Sequence, residues 1–305
     1  MPELRGRAAR SADAAGQGVA GASGFGRAAA SRVSFSDDPL ARATPRVLVI
    51  AGSDSGGGAG IQADIKTISA LGGHALTAIT AVTAQSTLGV DAVHLIPPEM
   101  VRAQIDAVAC DIGFDAVKIG MLGSPAIARV VADWLEGVDA PVVFDPVMVA
   151  TSGDLLADAD TIAGFERLMR LASVVTPNVP ELAALGGRDA VLAHGCHLVE
   201  KGGHGEGPLL VDRLWSSAGE ELRHVEAKRF DTDDTHGTGC TLASALATAL
   251  GWGYGIGDAF EVAVRFVRLA ILAAPGLGGG HGPLGQQYVY EYQDPEEWPG
   301  ASDPL

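Results

Sequence analysis

The sequence predicts an α/β protein, with a mostly parallel sheet covered by helices on both faces. Three observations carry that prediction. Short continuous apolar runs recur through residues 46–289, the mark of strands buried on both sides. Segments with helical spacing alternate with those runs, which calls for parallel strands joined by crossover helices. Glycine supplies 41 of 305 residues, roughly twice the usual ~7%. Without a collagen period, that excess marks tight turns and close backbone approaches.

The elements follow in order. Val47-Leu-Val-Ile-Ala51 reads as a buried strand. A glycine-rich turn comes next, then a helix whose apolar stripe is Ile61, Ile65, Ile68 and Leu71, ended by Gly72-Gly73. Ala78–Ala84 is a second strand, Pro98–Val108 a helix, and Ala116–Ile119 a strand. Ser124-Pro125 opens another helix, with Ser at the cap and Pro in the first turn. Val142–Asp145 is a strand, Asp160–Leu171 a helix, Ser173–Thr176 a strand, and His197–Val199 a short strand. Thr241–Leu250 and Asp258–Ala274 close the body with two helices. No repeat and no break in composition divides residues 46–289, so we expect one domain there.

Composition narrows the function. The formal charge is −16, with aromatics at 5%. A nucleic-acid or anionic-membrane surface needs a basic face, and single-strand binding needs stacking rings. Neither is expected. No window approaches ~18 uninterrupted apolar residues, so no membrane span is expected. Cys110, Cys196 and Cys240 are too few for a disulfide framework, which suits a reducing, cytoplasmic compartment. His194-Gly-Cys196-His197 looks faintly metal-like but has no second ligand group nearby.

Both ends stand apart from the body. Residues 1–45 hold 6 Arg and 4 acids and are rich in Ala, Gly and Ser. They have little to bury, so disorder is expected. The Arg- and Ser-containing composition admits an organelle leader, which Glu3, Asp13, Asp37 and Asp38 weaken. No apolar h-region is present, so it is not a secretory signal. Residues 290–305 read as a second frayed tail.

Five motifs carry chemistry. The first is Gly52-Ser-Asp-Ser-Gly-Gly-Gly58-Ala-Gly60, between a strand and a helix. Successive glycines there let backbone N–H groups approach a ligand. Gly58-Ala-Gly-Ile-Gln-Ala63 spells GxGxxA, but the ribose-binding acid about 20 residues on is missing, and no P-loop Lys-Ser/Thr follows. Asp64 borders the buried stripe of the following helix and must find a partner, either a salt bridge or a ligand donor group. The second motif, Thr235-His-Gly237-Thr-Gly239-Cys240, directly precedes a helix of small residues. Helix N-termini bind anions, and a thiol in the first turn is expected to have a lowered pKa. The plainer reading of Cys240 is a small buried packing residue.

The third motif, Phe144-Asp145-Pro-Val147-Met148, and the fourth, Thr176-Pro-Asn178-Val-Pro-Glu181, both end apolar strands. Asp145, Asn178 and Glu181 offer hard oxygens of the kind that hold Mg²⁺ through water. Each alone is more often a cap or turn residue. The fifth, Glu200-Lys201-Gly-Gly-His204, places a lysine beside glycines. It is either a phosphate contact or a surface turn.

These segments occur in a telling order: Ala51–Asp64, Lys118-Ile-Gly-Met121, Asp145-Pro-Val-Met148, Lys201-Gly-Gly-His204, Thr235–Cys240 and Gly280-His-Gly-Pro-Leu284. Together they resemble the hydroxymethylpyrimidine/phosphomethylpyrimidine kinases of thiamine biosynthesis, within the ribokinase-like superfamily. The resemblance spans about residues 46–285, and the Cys where sugar-kinase relatives carry Asp is its most specific feature.

The resemblance implies a three-layer ribokinase-like fold and two ATP-dependent steps. 4-Amino-5-hydroxymethyl-2-methylpyrimidine becomes its monophosphate and then its diphosphate. It implies that Gly52, Asp64, Gln85, Met121 and Val147 line the pyrimidine pocket. Gly237, Thr238 and Gly239 with Cys240 form the anion hole. Asp145, Asn178, Glu181, Lys201 and Thr235 serve ATP and Mg²⁺, with Mg²⁺ held through Asp145 and Glu181 by way of water. Cys240 as thiolate takes the hydroxyl proton. By analogy with related kinases, a homodimer is expected.

The sequence departs from the family pattern in two places. Thr151 stands where many members carry Lys in the loop after Met148, and the stretch between Asn178 and Lys201 is short, with only Ala190–Gly195 as a helix. Such a deletion could loosen ATP binding or the sheet edge. The competing readings are a pyridoxal/pyridoxine kinase, a catalytically weak pyrimidine-binding regulator, and a dinucleotide-dependent oxidoreductase. The missing ribose-binding acid argues against the last.

Overall fold

The computed structural model describes residues 44–149, 153, 156–157, 159–202 and 209–292. The leader expected over residues 1–45 thus falls almost wholly outside them, as do Thr151 and His204.

The chain runs β1 (Arg46–Asp54), α1 (Gly60–Ala70), β2 (His74–Ser86), β3 (Gly89–Leu95), α2 (Pro98–Asp111), β4 (Ala116–Ile119) and α3 (Pro125–Leu135). It continues through β5 (Val142–Phe144), α4 (Ala159–Leu171), β6 (Val174–Val175), α5 (Val179–Ala184), α6 (Arg188–Leu192) and β7 (His197–Glu200). A hairpin of β8 (Leu209–Trp215) and β9 (Glu221–Lys228) follows, then α7 (Thr238–Gly251) and α8 (Ile256–Leu272). A 3-10 turn, Gln286–Tyr292, ends the described chain. That turn covers the first residues of the tail expected from Tyr290, and residues 293–305 lie outside the described residues.

One sheet of nine strands has the order β3-β2-β1-β4-β5-β6-β7-β8-β9. Its six central strands pair in parallel. β3 at one edge, and β8 with the edge strand β9 at the other, pair antiparallel. This is the expected mostly parallel sheet, with three peripheral strands that the apolar runs did not reveal. The reason lies in their chemistry. Edge strands need no second buried face, and β9 (Glu-Leu-Arg-His-Val-Glu-Ala-Lys) is largely polar.

Alternation along β1 divides the core into two layers. Leu48 and Ile50 face α2, α3 and α4, packing with Val117, Phe144, Ile105, Ile127 and Phe165. Val47, Val49 and Ala51 face α1, α7 and α8, packing with Ile68, Leu246 and Phe260. The expected stripe of α1 is corrected at one position. Ile65 is 40% exposed, whereas Ala63, Asp64 and Thr67 are buried.

The chain leaves β1 towards β2 and β3, then returns to place β4 on the other side of β1. That reversal opens a crevice at the carboxyl ends of β1 and β4, where open α/β sheets bind ligands. The shortened stretch after Asn178 folds into two small helices, α5 and α6, and pairing runs unbroken from β6 through β7 to β8. The short segment therefore does not open the sheet.

Candidate active site

The motif residues gather at the carboxyl ends of five strands: Asp54 ends β1, Gly120-Met121 follow β4, Asp145 follows β5, Thr176 follows β6 and Lys201 follows β7. Two glycine-rich segments close over this rim. Gly237, the residue before α7, has φ 89°, and a Cβ there would strike the carbonyl of Gly58. A Cβ on Gly58 would strike the His236 ring. The opening loop and the loop before α7 therefore interlock, and the close approach requires glycine at both places. The loop after β1 and the segment before α7 are thus in direct contact.

Asp54 organises the opening loop. Its carboxylate accepts from the amides of Gly56 (2.8 Å), Gly58 (3.0 Å) and Ala59 (2.8 Å) and lies 3.0 Å from His236 Nε2. Burial works to raise its pKa, but the His236 and amide bonds outweigh burial and hold the carboxyl below the ordinary carboxylate range. Gly52 leaves room for Met121: a Cβ there would lie 2.9 Å from Met121 Cε. Val147, expected in the same pocket, is half-buried two residues past Asp145.

At α7 the Thr238 amide donates to Thr235 O at 3.3 Å. The amides of Gly239 and Cys240 have no backbone partner among the described residues. These two N–H groups lie at the positive end of a 14-residue helix, where negative charge is favoured. A Cβ on Gly239 would sit 3.2 Å from Lys201 Nζ and 3.4 Å from Asp145 Oδ2. The helix end therefore abuts a cation and a carboxylate.

Asp145 is buried, and its Oδ1 accepts from Lys201 Nζ (2.9 Å) and Thr176 Oγ1 (3.0 Å). Burial opposes the Lys201 charge, but Asp145 and Glu181 hold its pKa above the usual lysine value. Glu181 is raised by burial and by Asp145, against the pull of Lys201. Asn178 and Glu181 also form a reciprocal cap on α5: Asn178 Oδ1 accepts from Glu181 N, and Glu181 Oε2 accepts from Asn178 N, both at 2.8 Å. The cap reading of these two residues is thus realised. No cluster of three His, Cys, Asp or Glu suited to a metal occurs among the described residues. Cys196 instead packs in the core, where its thiol donates to Val191 O at 3.5 Å.

Two expectations need correction. Asp64 does not face open space. It is fully buried, paired with Lys118 Nζ at 2.9 and 3.0 Å, and accepts from Ser244 Oγ at 2.6 Å. Its salt-bridge reading is the one realised. Cys240 does not have a lowered pKa in the free protein. Burial pushes its thiol up to about 11, reinforced by Asp64 and Asp145, and outweighs Lys118 and the Gly60 amide.

Sequence reasoning assigned no role to Lys118, Ser244, Thr176 or His236. A signal existed for Lys118, since a lone charge inside Ala-Val-Lys-Ile, a strand buried on both faces, demands a buried partner. Ser244 lies one turn after Cys240 on a helix buried almost all round, so its periodicity carries no message.

The comparisons agree with this geometry. Residues 54–285 match the phosphomethylpyrimidine kinase family model. The hydroxymethylpyrimidine/phosphomethylpyrimidine kinase of Streptomyces coelicolor is 46% identical over 254 residues, covering 79% of this chain and 93% of that protein. The thiamine biosynthesis multifunctional protein ThiED of Corynebacterium efficiens is 42% identical over 259 residues, and the match covers 79% of this chain and 35% of that longer protein. Among solved structures, the ADP complex of Bacillus subtilis pyridoxal kinase superposes with a TM-score of 0.74 at 30% identity, covering 82% of this chain and 99% of that one. The ordered motifs, the three-layer sheet and these matches place the chain in the phosphomethylpyrimidine kinase family.

Proposed function

We propose that the chain transfers the γ-phosphoryl group of ATP to 4-amino-5-hydroxymethyl-2-methylpyrimidine, and then a second one to the resulting monophosphate, in thiamine biosynthesis. The observation that carries this reading is the interlock of the opening glycine loop with the amide-bearing end of α7, beside the Lys201–Asp145 pair. On this reading the heterocycle and the transferring phosphate meet at that rim.

Each group then has a task. Gly52, Gln85, Met121 and Val147 line the pyrimidine side, with Asp64 supporting that floor from below. The amides of Gly239 and Cys240, set by Gly237 and Thr238, hold the transferring phosphoryl oxygens, and Lys201 adds positive charge. Thr235 braces the loop that sets them. The hydroxymethyl oxygen forms the new bond to γ-phosphorus as the bond to ADP breaks, and Cys240 as thiolate takes the hydroxyl proton. At neutral pH a thiol near 11 supplies only about one part in ten thousand of thiolate. A loose transition state asks little of a base, so positioning and charge do most of the work.

The residues present fit Mg²⁺. Asp145 directs both its hydrogen bonds to Oδ1, while Oδ2 lies beside Gly239. Glu181, also buried, adds a second hard carboxylate. Mg²⁺ at this place would neutralise phosphate charge. Asn178 acts here through its cap on α5, which fixes Glu181.

We place the enzyme in the cytoplasm and, by analogy with related kinases, as a homodimer. No helix among the described residues is long and apolar enough to cross a membrane. The pyridoxal kinase alternative shares the fold at 30% identity, well below the 46% of the pyrimidine kinase relative. A panel assay with ATP and Mg²⁺, resolving mono- and diphosphate products, tests the reading. Faster turnover of pyridoxal, or no ADP release with the pyrimidine, would refute it.

A further inference from the structure

Several polar side chains meet where the opening loop touches the segment before α7. His236 Nε2 lies 3.0 Å from Asp54 Oδ2 and 3.3 Å from Gln85 Nε2. At the other end of the same amide, Gln85 Oε1 is 3.0 Å from Thr83 Oγ1, which is 3.0 Å from the backbone carbonyl of Ser53. Asp54, Thr83 and His236 are buried, so their donors and acceptors must match.

Counting protons decides the arrangement. Asp54 accepts from three backbone amides and is held ionised, so it can only accept. His236 must therefore turn an Nε2–H towards it. Thr83 has one hydroxyl proton, and the Ser53 carbonyl can only accept it. With Gln85 Oε1 towards Thr83, two acceptors compete for that proton. With Gln85 Nε2 towards His236, two N–H groups face each other. Turning the amide by 180° frees the Thr83 proton for the Ser53 carbonyl and replaces the facing N–H groups by a three-centre bond. Gln85 then donates to Thr83 Oγ1, and Gln85 Oε1 shares the His236 Nε2–H with Asp54 Oδ2. The two ends of an amide have nearly the same shape, so no other atom need move.

We propose that His236 is a specificity-determining positioning residue, which locks the Gln85 amide with its oxygen on the His236 side and so dictates which pyrimidine edge Gln85 can read. The proposal rests on the pyrimidine-kinase reading above. Locked this way, Gln85 shows a ligand its second N–H and the second lone pair of its oxygen. That pair matches a ring nitrogen acceptor beside a 4-amino donor. A 4-oxo pyrimidine has the reverse polarity, a ring N–H beside a carbonyl. Reading it would require turning the amide and losing the His236 and Thr83 bonds together.

Two measurements test this. Long-range ¹H–¹⁵N spectra of the imidazole in the ligand-free protein should show His236 protonated at Nε2. A bare Nε2 overturns the proposal, whatever the protein phosphorylates. Without ATP, binding of 4-amino- and 4-oxo-5-hydroxymethyl-2-methylpyrimidine is then compared in the wild type, His236→Leu and His236→Gln. The wild type should favour the amino compound by roughly 10–100-fold, the cost of mismatched buried polar pairs. His236→Leu should bring the two within a few-fold. His236→Gln, which can still point an N–H at Asp54, should keep most of the preference. A folded His236→Leu protein with the wild-type ratio refutes the proposal, even if both affinities fall. If that variant does not fold, Asp54→Asn, which admits either imidazole tautomer, carries the same expectation and the same refutation. If the wild type binds neither compound, the pyrimidine-kinase reading fails and the specificity claim with it, while the imidazole spectrum still decides the tautomer.

Discussion

Replacing Lys118 by methionine strands a carboxylate in the core. Lys118 and Asp64 are fully buried and bonded at 2.9 and 3.0 Å, with Ser244 Oγ completing the site at 2.6 Å. Methionine fills much of the same volume but leaves Asp64 with only the Ser244 bond. Removing one partner of a buried pair costs about 3–5 kcal/mol. In a body of this size each kcal/mol moves Tm by about 2–4 °C, so the loss should be about 6–20 °C, read by circular dichroism at pH 7.5. The sign of the pH dependence follows from the stranded acid. Its folded pKa stands above its unfolded value, a direction that burial already imposes on Asp64 in the wild type. The folded state then binds more protons than the unfolded state, so the deficit grows as pH rises and shrinks as pH falls towards the ordinary carboxylate value. Asp64→Leu combined with Lys118→Met should be more stable than Lys118→Met alone, because no uncompensated charge remains. A single variant within ~1 kcal/mol of wild type, or a double variant no better than the single, would refute the ion-pair argument.

Two further expectations concern the rim. Cys240→Ala should lower kcat more than it weakens pyrimidine binding. Because the thiol stays neutral until pH approaches about 11, wild-type kcat/KM should climb between pH 7 and 9 and the climb should vanish in the variant; a matching slope in both removes Cys240 as the base. Gly237→Ala puts a Cβ against the Gly58 carbonyl at a left-handed φ, and should cost ~1–2 kcal/mol from the backbone alone, with a larger loss of turnover as the two loops separate. Unchanged stability and rate would show that the interlock is not needed.

Much of the architecture was legible because buried parallel strands write themselves as continuous apolar runs. The runs Val47–Ala51, Ala116–Ile119 and Val142–Asp145 mark the strands Arg46–Asp54, Ala116–Ile119 and Val142–Phe144. The Ser124 cap behaves as its residue type suggests, its Oγ accepting from the Ile127 amide at 3.2 Å. The peripheral strands β3, β8 and β9 were not legible, since incomplete burial leaves a mixed sequence. Asp64 shows the same boundary within the site. Its helical position marked it as needing a partner, but both a salt bridge and a ligand satisfied that demand. The partner, Lys118, is 54 residues away.

By itself the sequence determined the layered α/β fold, the family-specific order of motifs, and the local devices, because these depend on residues close together along the chain. Only the tertiary structure decided the electrostatics. It buried Asp64 against Lys118, raised the Cys240 thiol instead of lowering it, and brought His236 within reach of Asp54 across 182 positions. Charge and proton placement depend on what lies within a few ångströms in space and on how much water is excluded, and spacing along a chain encodes neither.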